Sequence, residues 1–196
     1  MMMKKNAALG AAAAALLIAS GAASAESISF GLSSDSFRFG LTGPLSRLFS
    51  GVEGQYDLGF MRRSKDGDNS YVAHAGVLAS GDAGIEDFPI KVGVGLRGVF
   101  AGGDNADGGA VAPGVQASLR VPGADRFLVS TYAYYAPSVV SFGDLDSYRD
   151  LGASLSYELS RSAVLSVGYR NTRLGLDGGP DVTVDNGFFA GIGLNF

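Results

Sequence analysis

His74 is the only histidine in the chain, and there is no cysteine. A serine-type hydrolase needs a base, usually histidine, beside a hydroxyl and an orienting acid. Ser70 and Ser80 flank His74, but its immediate neighbours Val72, Ala73, Ala75 and Gly76 bring neither hydroxyl nor carboxylate to the ring. The demands of such a site are geometric. His74 therefore reads as a satisfied or interfacial histidine, and no catalytic residue is assigned. With no second histidine and no thiolate it lacks partners for a transition metal, so neither a metal nor a cofactor is expected.

Carboxylates supply the second candidate chemistry. Asp66-Gly67-Asp68-Asn69, Asp104-Asn105-Ala106-Asp107, Asp144 with Asp146, and Asp177 with Asp181 and Asp185 are short-spaced oxygen donors of the kind calcium takes. The twelve-residue loop closed by a bidentate glutamate is missing. Asp, Asn and Gly also build ordinary solvated turns, because they tolerate left-handed backbone. Weak divalent binding shared with lipopolysaccharide phosphates stays open as an alternative. Arg62, Arg63 and Lys65 beside the first cluster would meet the same phosphates, or serve as plain surface charge. A third set, Glu53, Asp57, Lys91, Arg97, Arg120, Glu158 and Arg170, is scattered singly and in both signs.

The elements that must position these groups are strands. Apolar residues recur with period two, which is the signature of a strand with one greasy face. Ile28, Phe30 and Leu32, then Phe37, Phe39 and Leu41, frame a short hairpin about Ser33-Ser34-Asp35. The pattern returns at Val52 to Phe60, Ile90 to Phe100, Val111 to Val121, Leu151 to Leu159 and Ala163 to Tyr169, and in the final segment at Phe188, Ala190, Ile192, Leu194 and Phe196. Residues 71–80 and 127–137 are ambiguous. Ten strands are expected, with eight as runner-up if the opening hairpin lies outside the wall. The third set of charges falls on the opposite, Gly- and Ser-rich faces. Inside a narrow barrel such charges must pair, since an unpaired buried charge costs several kcal/mol; Arg170 would meet Asp150 or Glu53, and Arg97 or Arg120 would meet Glu158.

Alternation alone does not say whether the apolar face points in, as in a soluble barrel, or out to lipid. Strands long enough to cross at a tilt favour the membrane. So does an expected alternation of tight turns at 159–162 and 121–125 with longer connections at 62–70, 101–109, 138–147 and 174–184. Thirty glycines and no tryptophan are unlike a helical enzyme. The net charge of −4, which becomes −6 without Lys4 and Lys5, argues against nucleic acid. Lys4 and Lys5, the apolar run 7–19 and Ala23-Ser24-Ala25 read as a cleaved signal peptide over residues 1–25, leaving one domain at 26–196.

An aromatic last residue on an amphipathic strand, Phe196, is similar to the assembly signal of bacterial outer-membrane barrels. With Tyr132-Ala133-Tyr134-Tyr135-Ala136-Pro137, Ser141-Phe142, Tyr148, Val167-Gly168-Tyr169-Arg170 and residues 187–196, the chain resembles the YfaZ-type outer-membrane proteins. The resemblance implies an all-β, antiparallel up-and-down transmembrane barrel in the Gram-negative outer membrane, with no catalytic residues to carry over. The expected role is non-enzymatic, in envelope structure or surface interaction. Its partners would be outer-membrane lipid and lipopolysaccharide, with the assembly machinery engaged through the C-terminal strand. A narrow channel past Arg97, Arg120 and Arg170 is one alternative, and a lipid-modifying barrel enzyme using His74 is another.

Overall fold

Alternation of small and large side chains runs almost without a break through the chain, and the structure is correspondingly almost all strand. The computed structural model describes residues 26–65, 68–85, 89–103 and 107–196. The expected leader lies outside them, as do Asp66, Gly67, residues 104–106 and the side chains of Lys65 and Asp68. The strands are β1 (Ser27–Leu32), β2 (Ser36–Pro44), β3 (Gln55–Lys65), β4 (Asp68–Asp82), β5 (Ile90–Gly103), β6 (Asp107–Arg120), β7 (Phe127–Ala136), β8 (Ser141–Gly143), β9 (Leu145–Ser160), β10 (Ala163–Leu176) and β11 (Val182–Asn195).

All pairings are antiparallel, and ten strands close on themselves in the ring β1-β2-β3-β4-β5-β6-β7-β9-β10-β11. The opening hairpin is in the wall, which excludes the eight-stranded alternative: β1 pairs with β2 on one side and with β11 on the other, from Ser27↔Asn195 to Leu32↔Ala190. Beyond that ladder, Glu26 and Phe196 exchange two backbone hydrogen bonds of 3.3 and 3.1 Å, so the last residue completes the seam. The short β8 is a patch. Pro137 has no N–H to give a ladder, the chain leaves the wall there, and Ser141–Gly143 return beside β6 in the place β7 has vacated.

The apolar faces point outward. Val94, Val115 and Val167 are more than half exposed and Phe188 is 82 % exposed, whereas Arg97, Asp150 and Arg170 on the other parity are at most 4 % exposed. A continuous exposed apolar wall is far beyond the patches a soluble monomer tolerates. This removes the soluble barrel. The ambiguous segments are ordinary wall strands, β4 and β7. Their alternation is blurred because inward positions there are large or apolar: Val72, His74 and Leu78 on β4, Tyr132 and Tyr134 on β7.

The expected contrast in loop lengths is not present. β3 runs to Lys65 and β4 starts at Asp68, β5 ends at Gly103 and β6 starts at Asp107, and β10 and β11 extend to Leu176 and from Val182. Most of the stretches read as long connections are ladder. Their glycines accommodate neighbours rather than turns: a Cβ on Gly109 would overlap the Phe142 ring, and one on Gly108 would sit 2.6 Å from Leu145. Among the described residues the irregular segment 137–144 alone fits the expected pattern at that end, which we call the far end. At the end bearing Glu26 and Phe196, residues 45–54 separate β2 from β3 and β4 ends at Asp82 while β5 starts at Ile90, and among the described connections at that end only the turn at 161–162 is very tight.

Candidate functional site

Polar side chains from seven strands meet at mid-height in the lumen. Asp57 on β3 accepts from Arg97 Nε on β5 at 2.6 Å and faces His74 Nε2 on β4 at 3.4 Å. Arg97 turns its Nη1 to Asp150 on β9 at 3.2 Å and lays its guanidinium 3.6 Å from the Tyr134 ring centroid on β7. Asp150, 1 % exposed, also accepts from Thr172 Oγ1 on β10 at 2.8 Å and from Tyr132 Oη at 3.3 Å. Arg38 on β2 closes the circuit, donating to Tyr132 Oη at 2.9 Å with Asp150 at 3.6 Å. Two carboxylates and two guanidiniums therefore share one buried network. Because such charges are costly unless paired and hydrogen-bonded, the fourfold arrangement is what makes their burial tolerable.

The sequence makes room for this girdle with glycine. His74 pairs across the ladder with Gly59, Arg97 with Gly76, Tyr134 with Gly114 and Tyr132 with Gly152. A Cβ on Gly59 would overlap the imidazole, one on Gly114 the Tyr134 ring, one on Gly76 would lie 2.8 Å from Arg97 Cγ, and one on Gly152 2.5 Å from Tyr132. Each of these four side chains lies over a cross-strand glycine, where close approach needs the absence of a side chain.

Beyond the girdle, towards the far end, the lumen is filled by an apolar core of Met61, Val72, Val99, Ala110, Ala112, Tyr148, Leu174 and Val184, all buried. Past this core is a recess of about 450 Å³ lined by Arg63, Ser70, Leu145, Leu174 and Thr183. Towards the terminal end is a serine-rich chamber of about 420 Å³, roofed by Arg38, Asp57, Tyr132 and Arg170 and walled by Ser29, Ser154 and Ser166. A second buried pair stands at its edge. Asp185 on β11 accepts from Arg170 Nε at 2.7 Å, Ser36 Oγ at 2.9 Å and Ser33 Oγ at 3.0 Å.

Arg97 is central. Arg120 pairs with Glu158 at 2.8 Å, one of the two pairings expected for that acid. Arg170 meets Asp185, not Asp150 or Glu53, because the β10–β11 ladder sets Thr172 against Asp185 and places that carboxylate one row away. Glu53 is exposed in the connection before β3 and is not a lumen residue. Lys91 is exposed on β5. His74 has Asp57 as its hydrogen-bond partner, whereas Ser70 lies four residues along the same inward face at the far recess and Ser80 is exposed towards the other end.

Of the acidic clusters, Asp107 accepts from Tyr71 Oη at 3.0 Å and offers its N–H to Asp144 at 3.2 Å, while Asp146, Asp177 and Asp181 are exposed. Among the described residues no group of three or more His, Asp or Glu is placed to hold a metal ion. Arg62 points outward, donating to Asn69 at 3.2 Å, and Arg63 points inward to the Thr183 carbonyl at 2.8 Å. Sequence reading passed over Arg38, Tyr132, Tyr134, Tyr148 and Thr172 as site residues. Their signal was parity: each falls on the inward register of its strand.

The fold and the girdle define a closed ten-stranded antiparallel barrel, apolar outside and charge-paired within. The chain belongs to the family described as YfaZ precursor, whose model matches residues 3–196. That description as a precursor agrees with an N-terminal leader. Comparison with curated proteins finds no match.

Proposed function

We propose that this chain is a small outer-membrane barrel of the Gram-negative envelope, without enzymatic activity, acting in envelope structure or surface interaction rather than as a pore. The observation that carries the reading is the girdle. Arg38, Asp57, Arg97 and Asp150 occupy the lumen at one level with Tyr132 and Tyr134, and the apolar core fills the next level. An ion entering from the terminal chamber meets charges already committed to each other and then the apolar layer, and one entering from the far recess meets the same two layers in reverse order. The outward apolar wall supports a place in lipid, where only closed sheets and helices satisfy their backbone groups.

His74 supports an enzyme poorly. Its acid partner is an aspartate already held by Arg97, and no hydroxyl within reach completes a triad among the described residues. Lipid and lipopolysaccharide contact the outer wall in this reading, and the assembly machinery reads the strand ending at Phe196. The test is planar-bilayer recording of the folded wild type together with cell fractionation. Little or no steady conductance, from a protein in the outer-membrane fraction, is expected. A stable ion-selective current, or a hydrolytic activity that disappears in His74→Ala, overturns the reading.

A further inference from the structure

On the outer wall, Arg149 of β9 and Arg173 of β10 are directly opposed across the ladder. Side chains so placed stand about 4.5–5.5 Å apart at their bases, and like charges there repel. Among the described residues the pair has one weak, exposed counter-charge between them. Arg149 donates from Nη2 to the neutral amide oxygen of Asn171 at 2.8 Å. The nearest carboxylate to Arg173 is that of Asp181, 3.9 Å from Nη1 and itself 60 % exposed. The Nε of each arginine has no acceptor.

Their surroundings fix the level at which they stand. Asn186 on β11 accepts from Tyr169 Oη at 2.7 Å and from Asn171 Nδ2 at 2.8 Å. Asn171 in turn accepts from Arg149, so an outward polar chain runs from Tyr169 up to the guanidinium. Directly below it the wall is bare and apolar: Leu151, Val167 and Phe188, with Tyr169 and Phe188 in edge contact at 5.5 Å. The surface thus changes within one or two residues from hydrocarbon-facing to amide-lined to doubly cationic. The change occurs near the far end; an even number of strands keeps both termini at the opposite end, which is the periplasmic end of an outer-membrane barrel, so under the outer-membrane reading proposed above the far end lies at the outer leaflet.

We infer that Arg149 and Arg173 form a clamp for the phosphate of an outer-leaflet glycolipid, with its acyl chains lying along Val167 and Phe188. This rests on the outer-membrane reading for the source of the ligand; the chemistry is that of a phosphate monoester. Two guanidinium forks on adjacent strands match a dianion's oxygens, and guanidinium–phosphate pairs are among the stronger charge-assisted bonds. A bound dianion also removes the repulsion between the opposed arginines. The Asn171 contact holds Arg149 in the orientation this needs.

The test is calorimetric titration of the barrel folded in detergent micelles. The probes are a bis-phosphorylated acyl-glucosamine lipid, the same lipid with its phosphates removed, and inorganic phosphate. The wild type should bind the phosphorylated lipid, with an affinity that falls as salt rises. Arg149→Gln with Arg173→Gln should weaken binding roughly tenfold or more, and the dephosphorylated lipid should bind the wild type no better than that variant binds the intact lipid. Competition by inorganic phosphate at comparable concentration would assign the clamp to free phosphate rather than lipid and overturn the glycolipid source. Arg149→Lys with Arg173→Lys keeps both charges while losing the forks and serves if the glutamines disturb folding; it should lose affinity in part. Unchanged affinity in the substituted barrel, or equal binding without the phosphates, overturns the clamp. Micelle binding does not depend on cellular location, so failure of the protein to fractionate with the outer membrane would sink the place and leave the clamp separately measured.

Discussion

Arg38 Nη1 donates to Tyr132 Oη at 2.9 Å, and the two residues stand on β2 and β7, which lie opposite each other in the ten-stranded ring. A single hydrogen bond therefore spans the lumen. Its two ends are anchored by the same acid, Asp150, which accepts from Tyr132 and lies 3.6 Å from Arg38. Width and charge are matched: a guanidinium and a phenol, end to end, fill what the backbone leaves open. Removing both, with Arg38→Ala and Tyr132→Ala together, should give measurable single-channel openings where little or no steady conductance is expected of the wild type. A silent double variant that still folds would show that the apolar core alone seals the lumen.

Arg97 is the better probe of stability. It contacts Asp57 and Asp150 and covers the Tyr134 ring. Arg97→Ala leaves two buried carboxylates short of their cation, and breaking such a pair costs about 3–5 kcal/mol. Urea unfolding in micelles should show this loss, with Arg120→Ala as a contrast. That residue's pair with Glu158 is more than a third exposed on both sides, and exposed pairs are worth about 0–1 kcal/mol. Equal effects of the two changes would mean the girdle is not the stabilising layer.

The sequence made the wall legible because period-two alternation survives glycine, and because Phe188, Ile192 and Phe196 repeat it to the last residue. The interior was only half legible. Parity placed Arg97, Arg120 and Arg170 inward, yet pairing partners depend on which strands face one another across the ring, and no local pattern encodes that. Arg170 illustrates the limit: its partner Asp185 belongs to a stretch that read as loop, because Asp, Asn and Gly at 185–187 look like a turn while their alternation continues. The apolar core escaped for the opposite reason. Val72, Val99 and Val184 are apolar residues on the inward parity, where a lumen was expected to be polar.

Gly59 tests the glycine-for-girdle relationship. Its cross-strand partner His74 occupies the space a Cβ would take. Gly59→Val should impair folding by forcing the imidazole off Asp57, whereas Gly59→Val with His74→Ala should recover part of the loss. The coupling between the two changes should fall within the ~0.5–3 kcal/mol seen for residues in contact, measured as a double-mutant cycle in urea. Simple additivity would show that Gly59 is needed for its own backbone and not for its neighbour.

The facing of the wall can be tested on the neighbouring strands β5 and β6. Val94 is outward and 64 % exposed, while Ser118 is inward and pairs with Lys91. Val94→Arg should cost roughly 2–4 kcal/mol as a charge against hydrocarbon, whereas Ser118→Asp should be mild beside a lysine. Heat-shifted migration of the folded barrel on gels reports both. Similar tolerance of the two would contradict a lipid-facing Val94.

Phe196 separates assembly from stability. Its N–H and carbonyl both bond to Glu26 at the seam, so Phe196→Asp keeps the two backbone bonds and removes only the aromatic, while deletion removes all three. If the ring is what the assembly machinery reads, both changes should leave export intact and lower the amount of barrel in the outer membrane. The substituted protein, once refolded in micelles, should unfold close to the wild-type urea midpoint, and the deleted one should be less stable because the seam loses its last ladder rung. Normal outer-membrane levels of Phe196→Asp would mean that the closing strand is recognised by its backbone and its other outward residues, Ile192 and Leu194, and not by its final side chain.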